Sequence, residues 1–230
     1  MLSQVTAVPA LIDQVHDRLV AAIANGDLHP GQRLTQESVA TMLGVSRQPV
    51  SHALQLLKSR GLLIEHGRRG LAVAPVDGTR IRHLYQVREA LDGLAARLAA
   101  ERVAQNCDDS GALSDLEAAL RSGEQLAADA PIADMVEADV AFHSALYVLS
   151  GNPEIATTIT DQWLQFRRAM AVVLDDPAHK ARIWTEHAEI SEAIKAGESR
   201  QAEALARRHT ERAGSETAMR IEADVNGGSN

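Results

Sequence analysis

The chain is poor in features that would place it outside the cell or in a membrane. Its 230 residues contain one cysteine, Cys107, so no internal disulfide can form and a reducing compartment is expected. No apolar run approaches membrane-spanning length, and the N-terminus has no basic segment followed by an apolar stretch. A soluble, cytoplasmic protein with no membrane partner is therefore expected. Internal repeats and low-complexity segments are absent, as are a nucleophile motif and a phosphate-binding loop. An excess of positive charge is also missing. The formal net charge is −8, which at first argues against a nucleic-acid partner.

That charge is unevenly divided. Residues 1–77 carry seven basic and six acidic side chains, leaving 16 basic and 25 acidic for the remainder. A near-neutral front joined to an acidic back suits a DNA reader attached to something that does not touch DNA. The length allows two domains with separate cores. Pro75-Val76-Asp77-Gly78 is the one plausible linker, giving a first domain over 1–75, a linker over 76–78, a second domain over 79–225 and a disordered tail over 226–230.

Within the front part, Leu11, Val15, Leu19 and Ile23 recur at helical spacing. A second helix starts at Thr35, whose hydroxyl can cap the first turn, buries Val39, Ala40 and Leu43, and stops at Gly44. Ser46 is placed to cap a third helix, where Pro49 is tolerated because first-turn N–H groups have no intrahelical acceptor. Val50, Ala53, Leu54 and Leu57 face the core, which turns Arg47, Gln48, Ser51, His52 and Gln55 outward. Such an outward, hydrogen-bonding face is what base-edge reading in a major groove requires. Gly61 ends the helix. Strands over Leu62–Glu65 and Leu71–Ala74 then flank the tip His66-Gly67-Arg68-Arg69-Gly70, which can approach phosphates or a minor groove. The layout is a winged helix-turn-helix. Thr35, Gln36, Arg47, Gln48, Ser51, His66, Gly67, Arg68 and Arg69 are its candidate DNA contacts, the other possibility being a small α+β domain with a solvated arginine turn.

The back part reads as helices throughout, over 79–103, 112–128, 132–150, 153–174, 178–196 and 199–222. Ile81, Leu84, Val87, Leu91, Leu94 and Leu98 form an apolar stripe on the first. Breaks such as Ala130-Pro131, Gly151-Asn152-Pro153 and Asp176-Pro177 fit turns between antiparallel bundle helices. Four polar residues occupy positions that periodicity assigns to the interior. Asp139 and His143 stand one turn apart, His187 lies among Ile183, Ile190 and Ile194, and His209 follows Ala202 and Leu205. Burying an unpartnered polar group costs roughly 2–7 kcal/mol, so these four need a reason. They could hold a divalent transition metal, Zn²⁺ first and Ni²⁺ or Mn²⁺ as alternatives, or they could form a buried polar network. Arg88, at the edge of the stripe, needs an anion, either Asp92 one turn on or a carboxylate ligand gripped by two parallel hydrogen bonds.

Two sets of residues resemble a known family. Gly44-Val45-Ser46-Arg47-Gln48-Pro49-Val50, Ala53-Leu54-Gln55-Leu56-Leu57 and Gly61-Leu62 are similar to the N-terminal domain of GntR-family transcriptional regulators. Val87-Arg88-Glu89-Ala90-Leu91-Asp92, Asp139-Val-Ala-Phe-His143, Glu186-His187 and His209 resemble the effector domain of its FadR branch, called FCD. The resemblance implies a homodimer on a near-palindromic double-stranded operator, responsive to a small carboxylate effector. It implies that Asp139, His143, His187 and His209 hold a metal and that Arg88 meets the effector carboxylate. Relatives that sense long acyl chains lack the histidines, so their presence implies a small polar acid. Ser51 stands where the family commonly has arginine. Two other classes fit the same residues: a metal-dependent enzyme with Glu186 or Glu189 as base, and a ligand-independent DNA-binding dimer. The fold expected is thus an α+β winged helix-turn-helix followed by an all-α antiparallel helical bundle.

Overall fold

A computed structural model describes residues 10–24, 26–67, 70–107, 111–126, 130–173 and 177–227. Arg68, Arg69 and the final 228–230 of the expected tail lie outside the described residues. The chain divides into two compact units, Met1–Val76 and Asp77–Asn230.

The first unit contains α1 (Ala10–Ala24), β1 (Arg33–Leu34), α2 (Gln36–Leu43), α3 (Arg47–Ser59), β2 (Leu63–His66) and β3 (Gly70–Val73). Its core joins Val15, Leu19 and Ile23 of α1 to Val39, Val50, Ala53, Leu54 and Leu57 of the helical pair and to Leu63 and Val73 of the strands. Leu11 is exposed and Leu43 half-buried, so both contribute less than their spacing suggested. The three strands are antiparallel in the order β1-β3-β2, with Leu63 opposite Val73 and Arg33 opposite Ala72. β1 went unforeseen because two residues carry no alternation to read. Thr35 caps α2 as expected: its Oγ accepts from the Ser38 N–H, and the Ser38 hydroxyl accepts the Thr35 N–H in return. Gly44 closes the helix in the left-handed conformation, φ +65°, which a residue with a Cβ enters only under strain. Ser46 departs from expectation. It occupies the cap position of α3 with extended backbone, but its side chain makes no cap hydrogen bond.

The second unit is all-helical: α4 (Gly78–Ala104), α5 (Ala112–Glu124), α6 (Ile132–Leu149), α7 (Pro153–Thr160), α8 (Trp163–Val173), α9 (Pro177–Lys195) and α10 (Ser199–Gly227). Asp77, expected in the linker, caps α4 by accepting the Arg80 N–H, and Gly78 is already helical. α10 continues through 226 and 227, which corrects the start of the expected tail. Among the described residues no helix is long and apolar enough to cross a membrane.

α4 lies against α6, α9 and above all α10. Ala95, Ala96, Ala99 and Ala100 of α4 and Ala202, Ala206 and Ala218 of α10 are fully buried. A Cβ added at Gly214 would lie 2.5 Å from the Tyr85 Cβ, so α10 approaches α4 more closely there than any side chain would allow. This seam of small residues turns α4 away from the expected stripe, which keeps only Ile81 fully buried. Its buried face is Ile81, Tyr85, Arg88, Asp92 and the alanines, whereas Leu84, Leu91, Leu94 and Leu98 are half-buried and Val87 is exposed.

The helix expected over 153–174 is two. Asp161 and Gln162 form a turn between α7 and α8, and the Gln162 N–H bonds back only to Ile159. Neither glycine nor proline marks the break. Thr157, Thr158 and Thr160 direct their hydroxyls to the carbonyls of Pro153, Glu154 and Ala156, a competition with the backbone ladder that bends helices.

Candidate functional site

The two candidate sites fall one in each unit. In the first, α3 presents Arg47, Gln48, His52 and Gln55 to solvent, with Ser51 half-buried. α2 supports this face from the side. The Gln36 amide donates to the Ser51 hydroxyl at 3.1 Å, and the Arg47 guanidinium donates to Glu37 at 3.0 Å. Both members of the Arg47–Glu37 pair are more than half exposed, so the pairing is weak and exchangeable. Thr35 is exposed, but its hydroxyl is already committed to Ser38. His66 and Gly67 are exposed at the hairpin, where Gly67 takes φ +66°. Lys58 of α3 pairs with Glu65 of β2 at 2.7 Å, tying the wing to the helix beside it and holding the Glu65 carboxyl below its usual value.

In the second unit, α6 places Asp139 and His143 one turn apart, α9 brings His187 and α10 brings His209. The structure brings these four together: each offers a ligand atom, and those atoms all lie within 4.8 Å of one another. All four side chains are buried. His187 Nε2 faces His209 Nε2 at 3.2 Å and Asp139 Oδ1 at 3.6 Å, and His143 Nε2 is 3.9 Å from Asp139 Oδ2. Phe142 stacks on the His187 ring with 4.0 Å between centroids, fixing its plane.

The electrostatics favour neutral donors. Burial pushes His143 well below the ordinary histidine range, reinforced by Arg88, His187 and His209. Burial does the same to His187, with His209 and Arg88 adding to it. Burial raises the Asp139 carboxyl, against the pull of Arg88. As a self-contained polar network the cluster is incomplete. Both ring nitrogens of His143, and His187 Nδ1, are buried without a hydrogen-bond partner. Three imidazoles and one carboxylate, converging with ring nitrogens of His143 and His187 unpartnered, fit a borderline transition metal.

Beside the cluster sits Arg88, 2% exposed. Its Nε is 3.3 Å from Asp92 Oδ2 without hydrogen-bond geometry, and its Nη2 is 3.8 Å from Asp139 Oδ2. Asp92 is held by other donors as well: the Tyr147 hydroxyl reaches Oδ1 at 2.5 Å and the Thr210 hydroxyl reaches Oδ2 at 2.7 Å. The guanidinium carbon lies 5.0 Å from the ring centroids of both Trp163 and Phe166 and 5.6 Å from Tyr85. Aromatic faces so close to a buried cation stabilise it while excluding water.

Tyr147, Thr210 and Trp163 escaped the sequence reading. Tyr147 was findable, since it continues the Asp139–His143 face by one more turn. Trp163 was not, because its direction depends on the break between α7 and α8.

Comparison with known proteins bears on both units. The model of bacterial regulatory proteins of the gntR family matches residues 11–73, and the FCD domain model matches residues 83–212. YdhC, an uncharacterized HTH-type transcriptional regulator of Bacillus subtilis (strain 168), is 27% identical over 186 residues, covering 79% of this chain and 80% of that protein. A solved structure of a GntR transcriptional regulator from Rhodococcus sp. RHA1 superposes with TM-score 0.75 at 27% identity, covering 90% of this chain and 97% of that one. Escherichia coli McbR/YncC shares the fold, with TM-score 0.68 at 22% identity over the whole of both chains. These domains and relatives are those of transcriptional regulators and not of enzymes. With the two domain models matched in succession and the second spanning more than half of the chain, this protein belongs to the GntR family of transcriptional regulators, in the group whose second domain is FCD.

Proposed function

We propose that this regulator releases or changes its grip on operator DNA when a small carboxylate enters the helical unit beside a divalent metal. In this reading the first unit binds DNA, and the second, from the Asp77 cap of α4 onward, binds the effector and dimerises. A homodimer then places two α3 helices on a near-palindromic duplex, and Zn²⁺ is the first candidate for the metal, with Ni²⁺ or Mn²⁺ as alternatives. The observation that carries it is the convergence of Asp139, His143, His187 and His209 on one buried point with Arg88 alongside.

The residues divide the work as follows. Asp139, His143, His187 and His209 would hold the metal, which when bound supplies a Lewis-acidic, positively charged partner for a carboxylate oxygen. Arg88 would give that carboxylate a second, directional contact through parallel N–H donors. Trp163, Phe166 and Tyr85 keep the guanidinium dry, so that its attraction for an anion is not spent on solvent. Arg88 belongs to α4, whose capped N-terminus at Asp77 follows Val76 directly in the chain. A ligand that favours one placement of α4 shifts the population toward it, and a coupling of about 1–3 kcal/mol changes DNA affinity roughly 5–150-fold. On the DNA side, Arg47, Gln48 and Ser51 would face the major groove, with Thr35 and Gln36 beside them, and His66, Gly67, Arg68 and Arg69 would serve the wing.

The test is elemental analysis of purified protein together with a thermal-shift screen of small mono-, di- and hydroxycarboxylates, with and without chelator. The wild type should carry close to one metal per chain and should answer at least one acid only when the metal is present. His187→Ala should lose both properties. Full metal occupancy in His187→Ala would overturn the assignment, and a ligand consumed during the assay would restore the enzyme reading.

A further inference from the structure

One carboxylate near the cluster is not aimed into it. Glu186 precedes His187 on α9, yet it is not among the four converging residues and instead meets His209 and Arg212 of α10. There its Oε2 lies 2.8 Å from Nδ1 of His209, the ring nitrogen opposite the one that faces His187. The other oxygen of Glu186 accepts from Arg212, one turn along α10 from His209, and Arg182 lies 3.8 Å away. Arg182 in turn pairs with Glu216. Glu189, the other acid on this stretch, pairs with the exposed Arg208 and takes no part.

An imidazole has two tautomers, and only one suits an inward-facing donor. A carboxylate against Nδ1 accepts a hydrogen bond only if Nδ1 carries the proton, which leaves the lone pair on Nε2. Arg212 holds the carboxylate in place while it does so.

We propose that Glu186 is a positioning residue for the metal centre, locking His209 in the Nδ1–H tautomer so that its Nε2 lone pair points at the convergence point. The inference rests on the metal reading for its purpose, but the tautomer exists or fails without any metal. Metal-ligating histidines commonly lean on such an outer acceptor, and its loss costs about 10–100-fold in metal affinity.

The experiment has two readouts on the full chain. In chelator-treated, ¹⁵N-labelled protein, a long-range ¹H–¹⁵N correlation should show His209, assigned by comparison with His209→Gln, in the Nδ1–H form. In Glu186→Ala the ring should turn to the Nε2–H form or a mixture. Zinc affinity, measured by competition with a chromophoric chelator, should fall 10–100-fold in Glu186→Ala and stay within a few-fold of wild type in Glu186→Gln, whose amide oxygen still accepts. Should the alanine variant not fold, Glu186→Met, which fills the space without an acceptor, carries the same test. An unchanged His209 tautomer and unchanged zinc affinity in Glu186→Ala would overturn the proposal. A wild type that takes up no zinc but shows the locked tautomer would sink the metal reading while leaving the positioning intact. A loss of melting temperature shared equally by Glu186→Ala and Arg212→Ala, with the tautomer unmoved, would reduce the contact to an ordinary ion pair.

Discussion

Tyr147→Phe removes a single oxygen from the buried centre, and its consequence can be worked out from the contacts. Asp92 is 0% exposed, and three groups attend its carboxylate: the Tyr147 hydroxyl at 2.5 Å, the Thr210 hydroxyl at 2.7 Å and the Arg88 Nε at 3.3 Å. Water has no ready access to replace a lost donor, so the phenylalanine variant leaves an anion short of one hydrogen bond. Hydrogen bonds to charged groups contribute about 1.5–3 kcal/mol. For a unit the size of Asp77–Asn230, each kcal/mol moves the melting temperature by roughly 2–4 °C. The expected loss is therefore about 3–12 °C, read by calorimetry on chelator-treated protein. Thr210→Val should act similarly. Because the two hydroxyls serve the same carboxylate, the double variant should deviate from additivity by about 0.5 kcal/mol or more. A Tyr147→Phe melt within a degree of wild type, or strict additivity with Thr210→Val, would refute the picture of Asp92 as a buried charge held by these donors. The same change should blunt the response to carboxylates, since Asp92 is what steadies Arg88.

Two further outcomes follow from the geometry. Arg47→Ala should abolish duplex binding in a gel shift and leave the melting temperature essentially unchanged, because the Arg47–Glu37 pair is solvent-exposed; retained binding would move the reading surface away from α3. The metal-free protein should lose stability on acidification. His143 and His187 are held uncharged in the folded state while their unfolded counterparts take up protons near pH 6.5, so the unfolded chain binds more protons as pH falls. Each contributes up to about 1.4 kcal/mol per pH unit below that point, and Asp139, raised by burial, works in the opposite direction only once the folded carboxyl takes up its proton. Urea midpoints in chelator should thus drop between pH 7.5 and 5.5; equal midpoints would show that the two rings are not buried as described.

The elements with periodic or capped sequence were readable in advance. Thr35 and Gly44 bracket α2, Pro49 marks the first turn of α3, and the inward spacing of Asp139 and His143 follows from 3.6 residues per turn. For α4 the deciding neighbour is distant in the chain. Leu84, Leu91, Leu94 and Leu98 look like the core face of α4, but α10 selects the neighbouring face of Ile81, Tyr85 and the alanines by offering small residues and Gly214 for close approach. The break at Asp161–Gln162 has no glycine or proline to announce it, and Ser46 sits at a cap position without making the cap.

From local physics alone, the order of residues determined a helix-turn-helix with a hairpin, an acidic helical region behind it, and four polar side chains that had to face inward. Period and capping are nearest-neighbour properties, and a single chain displays them openly. That the four meet within 4.8 Å, that Asp92 is shared among Tyr147, Thr210 and Arg88, and that Glu186 attends His209 from behind were decided by how α4, α6, α9 and α10 pack. Helical phase says which way a side chain points, but only the packing of one helix on another fixes what stands opposite.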